Sequence, residues 1–373
     1  MGRHRNEEGE QQRDESPSSA ELSTENSHLL QPFIHQVGGH VGLLSLNSDT
    51  ICKPFTTREK EFYTLAPRLF EGFMAQYRGM MEVVFEEDKA GYLSLLAASQ
   101  KSQELLVNDD SQSKNSNHSS TTKHRFRLKR SGSLELEKCT TELSNELWQD
   151  VYANTYTQNP WAIKCQTRHL AKMHKGTHRA KHRFVLLQNL VSGLRCPCIL
   201  DVKMGVQQHG DDAPEQKRRS QTAKCERSTS AKLGVRLVGM QLYDGHAQLY
   251  RCVNKYHGRE LTADGLKQHI FNFVRAAPHP CRRQLVKSLV RRLEALLQLL
   301  FTCDGYRFFS SSLLLMYDGA APCDQTVSDV RMIDFEHSTF PGFLKDPPHS
   351  GPDAGYILGL ETLIAFFNDV DCN

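Results

Sequence analysis

Two short stretches of this chain carry charged residues at a spacing that suits phosphate chemistry. In Asp201-Val202-Lys203-Met204-Gly205 an acidic and a basic residue are separated by one residue, so on a β-strand Asp201 and Lys203 point to the same face. A carboxylate and an ammonium on one face, followed by a glycine that allows close approach, suit a pocket for a polyanionic ligand. An exposed strand face with a weak charge pair is the other explanation of this spacing.

The second stretch runs from Val330 to Phe335 and ends its apolar pattern in one carboxylate, Asp334. An aspartate at a strand end suits a Mg²⁺ ligand in phosphoryl transfer, because the ion needs only one or two carboxylates and otherwise takes phosphate oxygens and water. A turn or helix-cap aspartate is the simpler alternative. Taken alone, each stretch leaves both interpretations open.

The motifs of several common enzyme classes are absent from the sequence. It has no GxxxxGK[ST] loop, no GxGxxG, and no HRD or DFG motif, which argues against a P-loop enzyme and an ordinary protein kinase. His174, His178 and His182 recur at helical spacing, but Gly176 weakens such a helix and Lys and Arg residues crowd the stretch. We interpret it as a basic surface rather than a metal site.

The charge balance of the whole chain narrows the function further. The 373 residues contain 46 Lys and Arg against 43 Asp and Glu, a formal net charge of +3. This balance excludes a strongly cationic nucleic-acid binder as a description of the whole chain. No apolar run reaches the roughly 18–20 residues of a membrane span, and residues 1–15 lack the apolar core of a secretory signal. We therefore expect a soluble protein of the cytoplasm, the nucleus or both.

The elements that must position these residues follow from the apolar pattern. Short antiparallel strands are expected between Pro32 and Pro54, followed by a helix over 57–73 that is capped by Thr57 and broken at Pro67. The clearest helix spans 284–301 and has leucines at helical spacing, which we assign to the core. The other predicted strands are 79–85, 92–96, 183–191, 197–204, 312–317 and 330–335, and the other predicted helices are 215–231 and 355–370.

Two segments are polar and poor in large apolar residues, and we expect both to be disordered. They are residues 1–28 and an insertion at 99–150. The insertion contains a basic run at 125–131 that fits either a phosphorylation or nuclear-import motif or a solvated linker. Any protein partners would bind through this insertion.

The motifs gain meaning when they are taken in order along the chain. Pro197-x-x-x-Asp201-x-Lys203-x-Gly205 matches the PxxxDxKxG signature of the inositol polyphosphate kinase family, and Ser311-Ser312-Leu313-Leu314 and Ile333-Asp334-Phe335 follow it as in that family. The segments PFIHQVGGH at 32–40 and GPDAGYILGLE at 351–361 resemble the inositol hexakisphosphate kinase branch. The resemblance covers residues 31–98 and 159–370.

The resemblance implies a fold and an activity. The expected fold is α+β, of the protein-kinase and ATP-grasp type, with a small β-rich N-lobe at 29–98 and 151–190 and a larger α+β C-lobe at 191–373. The implied activity is transfer of the γ-phosphate of ATP, with Mg²⁺, onto a phosphate of inositol hexakisphosphate or pentakisphosphate. Alternatives are a multikinase or trisphosphate 3-kinase that acts on ring hydroxyls, and a catalytically silent scaffold that binds inositol phosphates. A function in RNA binding is not supported, because the sequence contains no recognisable RNA-binding module.

The family's nucleotide-binding residues can be carried over to this sequence. By resemblance, Lys53 binds the phosphates of ATP, and Glu59 on the following helix orients that lysine. Asp201 binds the ribose hydroxyls. The hinge that presents backbone groups to adenine is Gln188, Asn189 and Leu190, although relatives often have Glu at the first of these positions.

The residues that serve the transfer itself are carried over in the same way. Asp334 would ligate Mg²⁺, and Lys203 would contact the substrate phosphates near the transferred group. Ser312 and His337 would line the catalytic centre. His337 favours the hexakisphosphate branch, because the other branches tend to have Lys there, whereas Glu336 stands where this branch usually has a small residue.

A fully phosphorylated inositol carries about −9 to −12 charges near neutral pH, since each phosphate carries about −1.5 to −2. Such a ligand needs a dense cationic surface for steering and charge-assisted contacts. An acceptor phosphate is already ionised, so a strong general base matters less. The residues to which we assign substrate binding are Lys203, Lys217, Arg218, Lys224, Arg236 and Lys255.

Overall fold

The computed structural model of the chain describes residues 30–87, 92–97, 125–128, 134–137, 159–174, 181–322 and 327–371. These residues form two antiparallel β-sheets and the helices that pack on them. The expected α+β fold with two lobes is therefore confirmed. The predicted disorder of residues 1–28 concerns a part of the chain that lies outside the described residues.

The first sheet contains eight strands of the described chain. They are β1 (Gln31–Pro32), β2 (Leu44–Ser45), β3 (Thr50–Pro54), β4 (Tyr77–Glu87), β5 (Tyr92–Ala97), β6 (Arg125–Leu128), β7 (Leu134–Glu137) and β8 (Lys181–Gln188). They lie side by side in the order β1-β2-β3-β8-β4-β5-β6-β7. Helix α1 (Thr57–Leu65) follows β3, and helix α2 (Pro160–His174) precedes β8. We call this sheet with α2 the N-lobe.

The second sheet contains five strands of the described chain. They are β9 (Pro197–Met204), β10 (Val235–Asp244), β11 (Leu249–Val253), β12 (Ser312–Asp318) and β13 (Ser328–Ile333), in the order β11-β10-β9-β12-β13. The helices after β9 are α3 (Glu215–Glu226), α4 (Ser230–Leu233), α5 (Lys255–Glu260), α6 (Ala263–Arg275), α7 (Arg282–Phe301) and α8 (Ala354–Asn368). We call this part the C-lobe.

One face of strand β9 is buried in the core and the other lines a cavity, as its alternating pattern predicts. Leu200, Val202 and Met204 are buried in the largest apolar core, which also contains the leucines of helix α7. Asp201 and Lys203 point to the other face, where a cavity lies. The strand thus places its charged residues where a ligand can reach them, and its apolar residues under the helices.

Residues 57–74 lie between strands β3 and β4 of the first sheet along the chain, but several of their side chains pack into the C-lobe. Phe62, Phe70, Phe73 and Met74 are all buried in the C-lobe core. The Phe62 ring stacks on that of Phe335, with centroids 4.7 Å apart and planes 9° apart. Helix α1 is therefore packed against the C-lobe although it follows a strand of the other sheet.

Several predicted elements differ from the observed ones in their limits. The helix predicted over 57–73 ends at Leu65, and a separate 3₁₀ turn at Arg68–Phe70 follows Pro67, as the predicted break implies. The predicted cap at Thr57 is wrong, because Thr56 occupies the N-cap position and its side chain caps nothing. The predicted helix over 215–231 divides into α3 and α4, and the predicted strand at 330–335 ends at Ile333.

The histidine spacing noted above does not produce a helical row. His174 ends helix α2, His182 lies on strand β8, and His178 lies outside the described residues. The insertion predicted at 99–150 lies mostly outside the described residues as well, but it contributes strands β6 and β7. Their sequences RFRL and LELE alternate with a period of two, which suits paired strands.

In the described part of the chain, no helix combines the length and the hydropathy needed to cross a membrane.

Candidate active site

A cavity of about 530 Å³ lies between the two sheets and is lined by both of them. Its lining includes most of the residues that the sequence predicts to have a function. These are Lys53, Glu59, Gln188, Asn189, Leu190, Asp201, Lys203, Lys224, Arg236, Lys255, Ser312, Asp334 and His337. Lys217 and Arg218 are the two predicted residues that do not line it.

An ion-pair cluster of three residues joins the lobes at this cavity. The Lys53 Nζ atom on β3 lies 2.6 Å from Glu59 Oε1 and 2.5 Å from Asp334 Oδ1. Glu59 Oε1 also accepts a hydrogen bond from the Phe335 amide at 3.2 Å. The cluster therefore connects strand β3, helix α1 and the chain just after strand β13.

Asp334 leaves strand β13 in an unusual backbone conformation. Its φ is +64°, in the left-handed region that Asp and Asn tolerate better than bulky residues do. This reversal comes directly after the apolar strand, so the carboxylate turns into the cavity while Phe335 packs into the core. The strand-end position predicted from sequence is observed, and the reversal accounts for it.

The charges of this cluster stabilise one another in a buried place. Burial opposes protonation of Lys53, but the Asp334 and Glu59 carboxylates prevail and raise the pKa of this lysine. Burial likewise works against ionised Asp334, yet Lys53 and Lys203 hold the pKa of Asp334 below its usual value. For Glu59, burial dominates and raises the pKa. A salt-bridged Lys53 and an ionised Asp334 are therefore the resting state at neutral pH.

Strands β10, β9 and β12 bring three polar side chains into one row. Lys203 is the register partner of both Arg236 and Ser312. Residues that face each other on antiparallel strands project to the same side of the sheet, and all three line the cavity. Arg236 is 6% exposed and its Nη1 atom has no hydrogen-bond partner among the described residues. The row presents two cations whose bonding capacity is not used up.

Asp201 lies on the same face of β9, close to the backbone of the loop between β1 and β2. Its Oδ1 atom is buried and accepts no hydrogen bond from the described residues. Gly38 approaches Asp201 so closely that a Cβ at that position would clash with the carboxylate. Burial raises the pKa of Asp201 to about 7, and the charge of Asp334 adds to this rise. Burial lowers the pKa of Lys203.

The predicted hinge joins β8 to the C-lobe beside an apolar slot. The Asn189 amide donates to Asp49 O at 2.7 Å, and its side-chain Nδ2 donates to Ser48 O at 2.6 Å, which anchors the turn to the β2–β3 connection. The Leu190 N–H is engaged by no hydrogen bond from the rest of the described chain. The apolar residues that line the slot are Ile51, Ala75, Leu187, Ile199 and Leu314.

The loop of residues 36–41 covers one side of the cavity, and we call it the 36–41 loop. Gln36 Nε2 donates to Gly38 O at 3.0 Å and to Val41 O at 2.8 Å. Asn159 and Trp161, just before and at the start of helix α2, also donate side-chain hydrogen bonds to this loop. These bonds replace the sheet pairing that the loop lacks, so its backbone is well fixed.

Among the residues predicted to bind substrate, Lys255 has an ammonium group whose bonding capacity is taken up by neighbours in the protein. Its Nζ lies 3.3 Å from Gly39 O and 2.5 Å from His40 Nδ1, and it faces the Trp161 ring at 4.9 Å. An ammonium has three protons, and these three neighbours can accept all of them. Burial lowers the pKa of Lys255 to about 8, with Arg259 contributing. In this structure Lys255 holds the 36–41 loop.

The basic helix α3 reaches the site mainly through one side. Lys224 lines the cavity, and Lys217 Nζ lies 3.2 Å from His337 Nε2. Arg218 instead donates to the carbonyls of Asp211 and Ala213, away from the cavity. Burial lowers the pKa of His337, and the charge of Lys217 lowers it further, which favours a neutral imidazole.

Among the other residues that line the cavity are four polar ones to which the sequence analysis gives no role. They are His40, Gln221, Arg259 and Tyr63. His40 belongs to the HQVGGH segment that carries the resemblance, and Arg259 closes a basic segment, so both had a signal in the sequence. Gln221 and Tyr63 are visible only once helices α3 and α1 are placed against the sheets.

The arrangement suits phosphate chemistry and leaves a position for a cation. Asp334 uses one carboxylate oxygen for Lys53, and the other oxygen remains for a hard cation such as Mg²⁺. Within the described ranges, no three His, Cys, Asp or Glu side chains converge to enclose a metal ion. A divalent ion would therefore complete its shell with ligand oxygens and water, as Mg²⁺ commonly does.

Residues 184–368 match the sequence profile of the family described as inositol polyphosphate kinase. Human inositol hexakisphosphate kinase 3 is 36% identical in an alignment 390 residues long, gaps included, and the alignment covers 91% of this chain and 95% of that protein. Human inositol hexakisphosphate kinase 2 is 36% identical over 404 residues, covering 92% and 95%. Mouse inositol hexakisphosphate kinase 1 is 35% identical over 407 residues, covering 92% and 93%.

Two solved structures are also similar. The inositol phosphate multikinase Ipk2 of S. cerevisiae, in complex with ADP and Mn²⁺, is 28% identical with a TM-score of 0.43, covering 50% of this chain and 83% of that chain. A second inositol phosphate multikinase is 20% identical with a TM-score of 0.41, covering 61% of this chain and 99% of that chain.

Proposed function

Because the chain belongs to the inositol polyphosphate kinase family, we propose that it is an inositol hexakisphosphate kinase that uses ATP and Mg²⁺. It transfers the γ-phosphate of ATP onto a phosphate of inositol hexakisphosphate, and of the pentakisphosphate, to form inositol pyrophosphates. The observation that carries this proposal is the division of one cavity into an apolar slot and a cationic row, with Lys53 and Asp334 in the same cavity.

In this proposal the nucleotide occupies the slot beside the hinge. Adenine lies among the apolar residues, and the unused Leu190 N–H donates to it. Asp201 accepts hydrogen bonds from the ribose hydroxyls through its unpartnered Oδ1 atom. Lys53 exchanges part of its contact with Asp334 for the phosphates of ATP, and Glu59 keeps the lysine in place.

Asp334 is the residue that we propose as the Mg²⁺ ligand. Its carboxylate stays ionised because Lys53 and Lys203 hold its pKa low, and a ligand of a hard cation must be ionised. When bound, the ion neutralises charge on the phosphates that take part in the transfer. Ser312, buried beside Lys203 in the row, fixes the wall against which the transferred group lies.

The acceptor lies against the cationic row. Lys203 and Arg236 attract an ionised phosphate of the substrate and align it with the γ-phosphate, which is the main contribution that phosphoryl transfer needs from a protein. Lys224 extends this surface, and Lys217 and neutral His337 border it. The roles assigned to Arg218 and Lys255 in binding substrate stay predictions, and Lys255 also supports the 36–41 loop.

The proposal is tested by incubating the purified chain with Mg-ATP and, separately, with inositol trisphosphate, pentakisphosphate and hexakisphosphate, and then resolving the products by charge. We expect a product more charged than the hexakisphosphate, and none with Asp334→Asn. Turnover of the trisphosphate alone would assign the protein to a branch that acts on hydroxyls. Nucleotide binding without any product would support the silent scaffold.

We also propose that the protein works in the cytoplasm, the nucleus or both, where ATP is available. Cell fractionation of the full chain and of a variant with Gln in place of the basic residues of 125–131 tests this. Loss of the nuclear pool in that variant would support the import interpretation, and an unchanged distribution would argue against it.

A further inference from the structure

We propose that Arg58 is a positioning residue of the transfer site. It fixes the start of helix α1 to the C-lobe, so that Glu59, the next residue along the helix, holds Lys53 and Asp334 in register. The inference rests on the proposed function for its turnover assay only, since its effect on nucleotide binding does not depend on which acceptor the enzyme uses.

The contacts of Arg58 all lead into the C-lobe. Its Nη1 donates to Asp346 Oδ1 at 2.8 Å, and its Nη2 donates to Asp346 Oδ2 and, at 3.0 Å, to Ser338 O. The guanidinium carbon also lies 5.1 Å from the centroid of the Phe343 ring. A bidentate Arg–carboxylate pair fixes both distance and orientation, so Arg58 determines where the first turn of α1 lies.

The pair is shielded enough for this role. The side chains of Arg58 and Asp346 are 18% and 13% exposed, whereas exposed pairs contribute little. Burial opposes the charge of Asp346, but Arg58 outweighs it and lowers the pKa of Asp346. The other charged groups that act on Arg58 are Asp211 and Asp212, both acidic. Each of these groups favours the cation at position 58.

Helix α1 needs this contact because its other C-lobe anchors lie further along the chain. Phe62 stacks on Phe335, and Phe70 and Phe73 enter the core beyond the end of the helix. Glu59 itself is buried and is held by Lys53 and the Phe335 amide. Without Arg58 the first turn would keep only polar contacts that are part of the active site, and those contacts would lose their fixed partner.

The experiment is a double-mutant cycle with Arg58→Met and Asp346→Asn, measured as the Kd for Mg-ATP and as kcat and KM. Each single variant should weaken nucleotide binding about tenfold and lower kcat, because positioning acts on the reacting geometry. The double variant should be no more than about twofold worse than either single one, since both break the same contact. Arg58→Lys should recover part of the affinity.

The matched control is Arg292→Met, which breaks another partly exposed Arg–Asp pair. Arg292 Nε lies 3.0 Å from Asp329 Oδ1, and this pair lies outside the cavity. The Arg292→Met variant should have a lower melting temperature and an unchanged Kd for Mg-ATP. The inference is overturned if the Arg58 and Asp346 effects add independently, or if Arg58→Met lowers only the melting temperature, as the control does. A different acceptor preference would overturn the proposed function and leave the nucleotide-binding result intact.

Discussion

Two lysines of the cavity, Lys53 and Lys203, come from different sheets and have opposite surroundings. Lys53 on the first sheet contacts two carboxylates, and these raise its pKa. Lys203 on the second sheet has no hydrogen-bonding partner given by the described residues, and burial lowers its pKa. The ion-pair cluster around Lys53 is thus complete before any ligand arrives, whereas Lys203 and Arg236 on the second sheet keep hydrogen-bonding capacity that a ligand can use.

The largest effect should come from the residue that both lysines act on. Asp334→Asn removes the carboxylate but keeps a residue that tolerates a φ of +64°. We expect kcat to fall about 10³-fold, because the charge that we propose as the cation ligand is lost. The measurement is turnover of Mg-ATP with the hexakisphosphate, with the melting temperature as a check on folding. Activity within tenfold of the natural protein would remove Asp334 from the transfer site.

The difference between the lysines can be measured as stability. Lys53→Met leaves buried Glu59 without its partner, so we expect the free energy of unfolding to fall by about 3 kcal/mol. Lys203→Met removes an ammonium that hydrogen-bonds to no described residue and acts on Asp334 only through its charge, so stability should change by no more than about 1 kcal/mol while activity is lost. Urea unfolding of both variants tests this. A loss of similar size in both would show that the protein itself supplies a partner for Lys203.

The buried Asp201 carboxyl, whose Oδ1 atom has no hydrogen-bond partner among the described residues, should make the stability of the protein depend on pH. The pKa of Asp201 in the folded protein, about 7, lies above the usual value of 3.8, so folding binds a proton between these pH values and stability falls as pH rises through this window. Asp201→Asn removes that penalty. Its stability advantage should grow by about 2 kcal/mol from pH 5 to pH 8.

The test of this expectation is the melting temperature of both proteins across that range without nucleotide. The variant should also bind Mg-ATP more weakly, since an amide replaces the acceptor for the ribose hydroxyls. A constant gap in stability from pH 5 to pH 8 would mean that the carboxyl is already ionised in the folded protein.

The smallest effect should come from Glu336, an acidic side chain on the cationic side of the cavity. Glu336 lies beside His337 and faces the same space as Lys203 and Arg236. Glu336→Gln should lower the KM for the hexakisphosphate about threefold at low salt, because it removes repulsion of a polyanion, and less at high salt, because ions screen it. The KM for ATP serves as the internal control. An increase in the KM for the hexakisphosphate would assign Glu336 a binding role instead.

The sequence predicted strands β9, β12 and β13 of the site because their signals are local, but it did not predict β10, which carries Arg236. Strand β9 alternates apolar and charged residues, and strand β13 ends in one carboxylate. The row of Arg236, Lys203 and Ser312 could not be predicted in this way, because register between strands is set by packing rather than by either strand alone. Helix α6 was missed although Leu266, Ile270 and Phe273 show a helical spacing on its buried face.

The connections between lobes were the least predictable part of the site. Lys53, Glu59 and Asp334 were assigned by resemblance, and their contacts join residues as far as 281 positions apart. Arg58 and Asp346 carried no motif at all. A pair of charges distant in sequence has no local pattern, so only the folded chain reveals it.

The packing of residues 57–74 into the C-lobe has a consequence for how the chain is made. Glu59 and Phe335 lie 276 residues apart, and a ribosome needs roughly 15–50 s to add that many residues at 5–20 per second. During this interval Phe62, Phe70 and Phe73 have been synthesised but their core partners have not. Newly made N-terminal chain therefore carries an exposed aromatic segment, and truncated products that end before residue 335 should be substrates for chaperones and proteases.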